Sequence, residues 1–300
     1  MAEQNQVAED AVPKDGAPVG TAGNPATPKR APAFTIETTS DKKRYLKMCI
    51  YGDYGMGKTT LGGTATKVPS MKDILVLDAE AGDLSLADMQ DVDVIRVKNY
   101  RMASQVEAFL REHCKYRDLG DDDKLKELEA LLKGVDVKSI KKPRKYQTVI
   151  VDTLSEIETF CMYQLLGITA MTALDEETAV AEWPEFRRNF NMIQRFVRTF
   201  RDLPMNIIMM CQQQYVQNDQ KQMLYSPNLT GKLSGAVQGF FDVVGFLTIV
   251  KGEEGKPLRR LFVQPIDRFA AKNRFAAFKD PWFDNPTIES ILKAVGLYEG

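Results

Sequence analysis

Apolar residues in this chain fall into short unbroken runs separated by amphipathic stretches. Met48–Tyr51, Asp73-Ile-Leu-Val-Leu-Asp78, Tyr146-Gln-Thr-Val-Ile-Val-Asp152 and Leu203–Cys211 are such runs. Their length and continuity predict strands buried on both faces of a parallel sheet. Asp93–Val97 adds a further short strand. Between them, Met102–Arg117 carries Ala103, Val106, Phe109 and Leu110 at helical spacing. Pro184–Phe200 does the same with Phe186, Phe190, Ile193, Phe196, Val197 and Phe200, a stripe most simply read as core. Asp242–Val250 and Arg259–Ile266, joined across Gly252-Glu-Glu-Gly255, predict a hairpin. Thr287–Val295 reads as a short closing helix with Asn285 as its cap. The alternation of strand and helix predicts a three-layer α/β fold: a mostly parallel sheet, helices on both faces, and a C-terminal β-hairpin.

Three stretches break the pattern. Residues 1–35 carry five prolines and no Leu or Ile, so they cannot bury enough apolar surface to offset ordering and are expected to form a disordered tail before a domain over 36–300. Residues 118–145 are dense in Asp, Glu and Lys, with Leu125, Leu128, Leu131 and Leu132 at helical spacing, which predicts an exposed helical insertion. It closes on the basic cluster Lys138, Lys141, Lys142, Arg144 and Lys145, a solvated charge run or a nucleic-acid patch. Residues 213–240 show no periodicity and read as a long Gly-containing loop.

Charge narrows the partners little. Forty basic residues balance 41 acidic ones, so any nucleic-acid site must be a local patch. Cys49, Cys114, Cys161 and Cys211 are scattered, with no CxxC, as expected of reduced thiols in a cytoplasmic protein. His113 is the one histidine; it is expected on the surface, and a zinc site would lack ligands. No apolar run reaches membrane-spanning length.

The chemistry centres on Lys47–Thr60. The run at Met48–Tyr51 leads into Gly52-Asp53-Tyr54-Gly55-Met56-Gly57-Lys58-Thr59, the full phosphate-loop pattern in the strand context it requires. Glycines let successive N–H groups face one centre at a helix N-terminus, where they hold phosphate oxygens. Lys58 is expected to reach the terminal phosphates of ATP, and the Thr59 hydroxyl to ligate Mg²⁺, with Thr60 as a spare hydroxyl. Asp152 ends an apolar strand in the form that holds Mg²⁺ beside a phosphate loop. Asp78-Ala79-Glu80 ends another, which makes Glu80 the first candidate for orienting an attacking water. Glu156 is its rival, although a helix-opening role beside a Ser155 cap suits it better. Gln212, at the end of a third apolar strand, can hydrogen-bond a γ-phosphate and report its loss. Lys221, Tyr225 and Lys232, in the segment that follows, supply cations and an aromatic ring of the kind that bind single-stranded nucleic acid; a mobile lid is the other reading.

Taken together, GDYGMGKTT, LVLDAE, TVIVDTLSEIE and the Gln-ended strand resemble the RecA-like P-loop ATPase core. With LTGKLSG and AAKNRF added, the stretch 36–280 is similar to phage-encoded RecA-like nucleotide-binding proteins of single-strand annealing and recombination. The charged insertion is an addition to a minimal core of that kind. The resemblance implies ATP hydrolysis with Mg²⁺, Glu80 as catalytic carboxylate, single-stranded DNA as partner, a homo-oligomer, and, for a phage protein, the host cytoplasm. It also implies that Lys272 and Arg274, a Lys-x-Arg pair, reach a neighbouring subunit's ATP. The rival functions are a nucleotide-dependent assembly or packaging factor with a protein partner, and a small-molecule kinase, disfavoured by the lack of a short Arg-rich lid.

Overall fold

The computed structural model describes residue 38 and residues 43–298, except 83–85, 88, 90, 134–137, 139–141, 218–220, 253–254, 267, 277 and 279. The expected tail over 1–35 lies outside the described residues. The first apolar run forms β1 (Lys47–Gly52), and the phosphate loop leads into α1 (Lys58–Gly63). That helix is short because Gly62 and Gly63 follow Thr59, Thr60 and Leu61. Packing explains Gly62: a Cβ there would lie 2.5 Å from the Met210 methyl and 3.1 Å from Ile150 Cδ1. Next come β2 (Ile74–Asp78), β3 (Val92–Arg96), α2 (Tyr100–Leu119) and α3 (Asp122–Lys133). Then follow β4 (Thr148–Asp152), α4 (Leu154–Leu165), α5 (Trp183–Asp202) and β5 (Asn206–Gln217). The chain continues through β6 (Met223–Pro227), α6 (Leu233–Gln238), β7 (Val243–Lys251) and β8 (Pro257–Phe262). It closes with β9 (Lys272–Asn273), β10 (Trp282–Asp284) and α7 (Ile288–Val295).

The strands pair in the order β10-β8-β7-β1-β5-β4-β2-β3. From β7 to β3 they run parallel; β8 and β10 are antiparallel. The fold is the mixed α/β one expected, with a mostly parallel sheet and the β7–β8 hairpin at its C-terminal side. Every residue of β2 and β4 is buried, as unbroken apolar runs between two helical layers must be. Alternate residues of each strand go to opposite sides. Cys49, Tyr51, Leu77 and Val151 join one cluster with α2, α4 and α5; Met48, Ile50, Val76 and Ile150 join the other with α1 and α7. Among the described residues no helix is long and apolar enough to cross a membrane.

Several local expectations need correction. Residues 213–240 are not an irregular loop: β5 runs on to Gln217 and turns back as β6, an antiparallel hairpin with Tyr215 opposite Tyr225. The cap of α4 is Thr153, whose hydroxyl accepts from the Glu156 N–H, because Ser155 is already inside the helix. The cap of α7 is Thr287 in a reciprocal pair with Ser290, while Asn285 accepts from the Arg259 N–H. His113 is buried, not at the surface: it lies between Phe109 and Tyr146, and its Nε2 donates to the Arg144 carbonyl at 3.1 Å. Burial pushes its pKa down. In the charged segment, α3 turns Leu125 and Ala130 inward and leaves Leu131 exposed.

Candidate functional site

The C-terminal ends of the parallel strands bring together side chains that are far apart in sequence. β1 stops at Gly52, and Gly55 and Gly57 take positive φ values of 72° and 92°. L side chains resist that conformation, so the loop's curl depends on these two glycines. Lys58 follows, buried, its ammonium donating at 3.0 Å to each of the Gly52 carbonyl, the Asp53 carbonyl and Gln212 Oε1. Thr59 donates its hydroxyl to Asp152 Oδ2 at 2.5 Å. β2 and β4 pair in register, so Asp78 and Asp152 end side by side. Asp78 accepts from the N–H groups of Glu80 and Gly82, a tight turn that sets Glu80 at the strand end. The Glu80 carboxylate accepts from the Thr153 hydroxyl at 2.7 Å and from the Gln212 amide at 2.8 and 2.9 Å.

These groups surround a cavity of about 250 Å³ lined by Tyr54, Gly55, Gly57, Lys58, Thr59, Thr60, Glu80, Asp152, Gln212 and Arg259. The structure therefore gathers Lys58, Thr59, Glu80, Asp152 and Gln212 in one place. Glu156 is not among the lining residues. Two participants were not anticipated. Thr153 holds Glu80 as well as capping α4. Arg259, on β8, donates its Nε to the Met56 carbonyl at 3.1 Å and lies where a Cβ on Gly57 would sit, 2.6 Å from that nitrogen. No sequence spacing marks it; only the β7–β8 hairpin carries it back over the loop.

Burial shapes the electrostatics. It pulls the Lys58 pKa down, while Asp152 and Glu80 push it back up. It lifts Asp152 to about 6; the Thr59 hydrogen bond opposes the shift and Glu80 adds to it. A cation arriving beside Asp152 would reverse that shift. Thr59 and Asp152 offer touching hard oxygen atoms, and among the described residues no group of three or more His, Cys, Asp or Glu side chains could hold a metal. That donor set fits Mg²⁺, which takes few protein ligands and completes its shell with phosphate oxygens and water.

The other sequence candidates lie elsewhere. Lys221 sits at the turn end of the β5–β6 hairpin with φ 61°, Tyr225 lies on β6, and exposed Lys232 precedes α6. Lys272 and Arg274 do not line the phosphate cavity. Lys272 donates to the carbonyls of Gln238, Gly239 and Phe241, and Arg274 to the Gly239 carbonyl and the Asp242 carboxylate. Both cations thus converge on the end of α6, where unpaired helix carbonyls favour positive charge, as residues two apart on an extended segment share one face.

Solved structures similar to the chain include the flagellar accessory protein FlaH from Methanocaldococcus jannaschii, at 10% identity over 75% of this chain and 78% of that one, with a TM-score of 0.34. The RadB recombinase is similar at 14% identity over 73% and 81%, TM-score 0.33. A KaiC-like protein from Pyrococcus horikoshii OT3 is similar at 9% identity over 80% and 89%, TM-score 0.35. A search of curated proteins finds no match. A family model described as AAA domain matches residues 44–275, which takes in the phosphate loop, the strand-end carboxylates, Gln212 and Arg259. The chain belongs to this AAA domain family.

Proposed function

We propose that the chain hydrolyses ATP and couples hydrolysis to binding of single-stranded DNA, for annealing or strand exchange in a phage-type recombination system. The observation that carries this reading is the position of Gln212. Its side chain bridges Lys58 and Glu80, and its strand runs directly into the hairpin that bears Tyr215 and Lys221. Its carbonyl also accepts from the Asn228 N–H at the end of that hairpin. Lys58 would neutralise phosphate charge, Thr59 and Asp152 would hold Mg²⁺, and Mg²⁺ would spread the negative charge of the transferring phosphoryl group. Glu80 would take the proton of the attacking water. A phosphate oxygen competing for Lys58 would release Gln212 and so bias the hairpin.

Lys221 and Lys232 supply the strand's phosphate contacts in this reading. Replacing both by Ala is expected to weaken binding of a single-stranded oligonucleotide and flatten its salt dependence by about one unit of slope. Unchanged affinity and slope would leave the hairpin as a lid. Arg274 is proposed to serve a neighbouring subunit of a homo-oligomer, leaving its contacts with Asp242 and Gly239 to do so. Arg274→Ala should then bind ATP yet hydrolyse it poorly, and recover activity when mixed with Glu80→Gln protein; no recovery removes that part. One observation favours the second reading, a nucleotide-dependent assembly factor with a protein partner. Met171, Leu174 and Val180, before α5, and Trp183, its first residue, are 92%, 108%, 85% and 78% exposed.

A further inference from the structure

The phosphate loop has a second face. Tyr54, Gly55 and Gly57 line the phosphate cavity, whereas Asp53 and Met56 of the same loop line a separate cleft of about 400 Å³. Its walls are aromatic. Phe246 of β7 and Phe262 of β8 both stack on Phe269, at centroid distances of 4.5 and 4.8 Å. Tyr225 of β6 packs against Phe246 and Phe269 at 5.2 and 5.3 Å. Tyr215 of β5 leans on Tyr225 at 4.5 Å and is itself 55% exposed. Polar residues interrupt this surface: Asp53, Gln213 and Thr248 all line the cleft, and the Asp53 carboxylate accepts from the Tyr54 N–H through one oxygen.

We propose that this cleft binds a nucleobase with an exocyclic amine, adenine, cytosine or guanine, stacked on Tyr215 with its amino edge toward Asp53. The inference rests on the reading above that the chain handles ATP and single strands. A nucleobase is the ligand class that combines two π-faces with a hydrogen-bonding rim. Its faces stack on aromatic side chains whatever the sequence, and its amine donates to a carboxylate. An apolar side chain from a protein partner matches the rings but would strip water from Asp53 without replacing a hydrogen bond. The volume is in the range of small-molecule clefts, roughly 300–1,000 Å³. The base has two sources, because the cleft and the phosphate cavity share the loop. It belongs either to a DNA strand lying along the hairpin or to the nucleotide whose phosphates the loop holds.

Two titrations of the full chain decide. Wild-type, Tyr215→Ala and Tyr215→Trp proteins are titrated with a fluorescein-labelled oligodeoxycytidine of about twelve nucleotides, a length one module covers, and with Mg²⁺-ATP. Tyr215 is exposed enough for truncation to leave the core intact, and Trp preserves a stacking face. The Ala variant is expected to lose roughly 5- to 100-fold in affinity for one of the two probes, and Trp to restore it. Loss confined to the oligonucleotide assigns the cleft to a strand base; loss confined to ATP assigns it to the base of the bound nucleotide. If wild type does not bind the oligonucleotide, the single-strand reading fails and the ATP arm alone decides the cleft. Unchanged affinity for both probes in Tyr215→Ala, or a loss that Trp does not restore, overturns the proposal.

Discussion

The two hollows on either side of residues 53–57 share a loop and differ in almost everything else. The phosphate cavity is held by a polar network in which Gln212 touches both Lys58 and Glu80. The aromatic cleft is held by ring packing, with five aromatic side chains in its walls. Both draw on β5, which carries Gln212 into the first and, three residues on, Tyr215 into the second. A strand shared in this way is a short mechanical link. A polar network can be rearranged by one new charge, whereas packed rings keep their shape and change position with the strand.

The strongest way to break the pairing is at Lys58. Lys58→Ala should lower ATP affinity or turnover by about 10²-fold or more, the scale of losing one preorganised charge contact. Oligonucleotide binding measured without ATP should survive, since Lys58 does not line the aromatic cleft. Normal ATP binding and hydrolysis in this variant would end the phosphate-loop assignment.

Glu80→Gln comes next. ATP binding should persist while hydrolysis slows by roughly 10²-fold, the scale of a lost general base. Glu156→Gln is expected to hydrolyse near the wild-type rate. The reverse pattern in a single-turnover assay would hand the role to Glu156.

Asp152 gives a smaller effect that depends on pH. Its pKa of about 6 lies above the ordinary carboxylate value, so the folded state prefers the protonated form. Without ligand, the stability this group contributes is therefore full below about pH 4 and is lost as pH rises through 6. Mg²⁺ needs the carboxylate, so Mg²⁺-ATP affinity should fall as pH drops from 7 to 5. Asp152→Asn should raise ligand-free stability at pH 7 by on the order of 1 kcal/mol and reduce the pH dependence of Mg²⁺-ATP binding to that of the nucleotide's own terminal phosphate. Thermal melts and titrations across that range test both signs. A variant that is less stable at pH 7, or that keeps the wild-type pH dependence, would contradict the account.

The two hollows also differ in how far the sequence reveals them. The phosphate cavity is legible because a parallel sheet puts the C-terminal ends of β1, β2, β4 and β5 on one side. An apolar run ending in Asp152 or Gln212, or leading through Asp78 into Glu80, therefore announces a cavity residue, and Gly52–Thr59 is contiguous. The aromatic cleft has no such signature. Its rings come from β5, β6, β7, β8 and the segment after β8, and they meet only once the two hairpins have folded. β5 conceals the first hairpin by changing character midway. Asn206–Gln212 is buried on both faces, whereas Gln213–Gln217 is half-exposed and reads as loop. Arg259 is hidden for the same reason, since an antiparallel return brings it to Met56 across more than 200 residues. Thr153 and His113 escaped because each is fixed by a partner distant in sequence, Glu80 and the Arg144 carbonyl.

The central claim is that the phosphate cavity and the hairpin surface act as one device through β5. The most direct test is the steady-state ATPase rate of the wild-type protein with and without saturating single-stranded DNA. The account predicts stimulation by the single strand, lost in Glu80→Gln and weakened when Lys221 and Lys232 are both Ala. An ATPase rate indifferent to single-stranded DNA, in a protein that hydrolyses ATP, would contradict the coupling and favour the protein-partner reading.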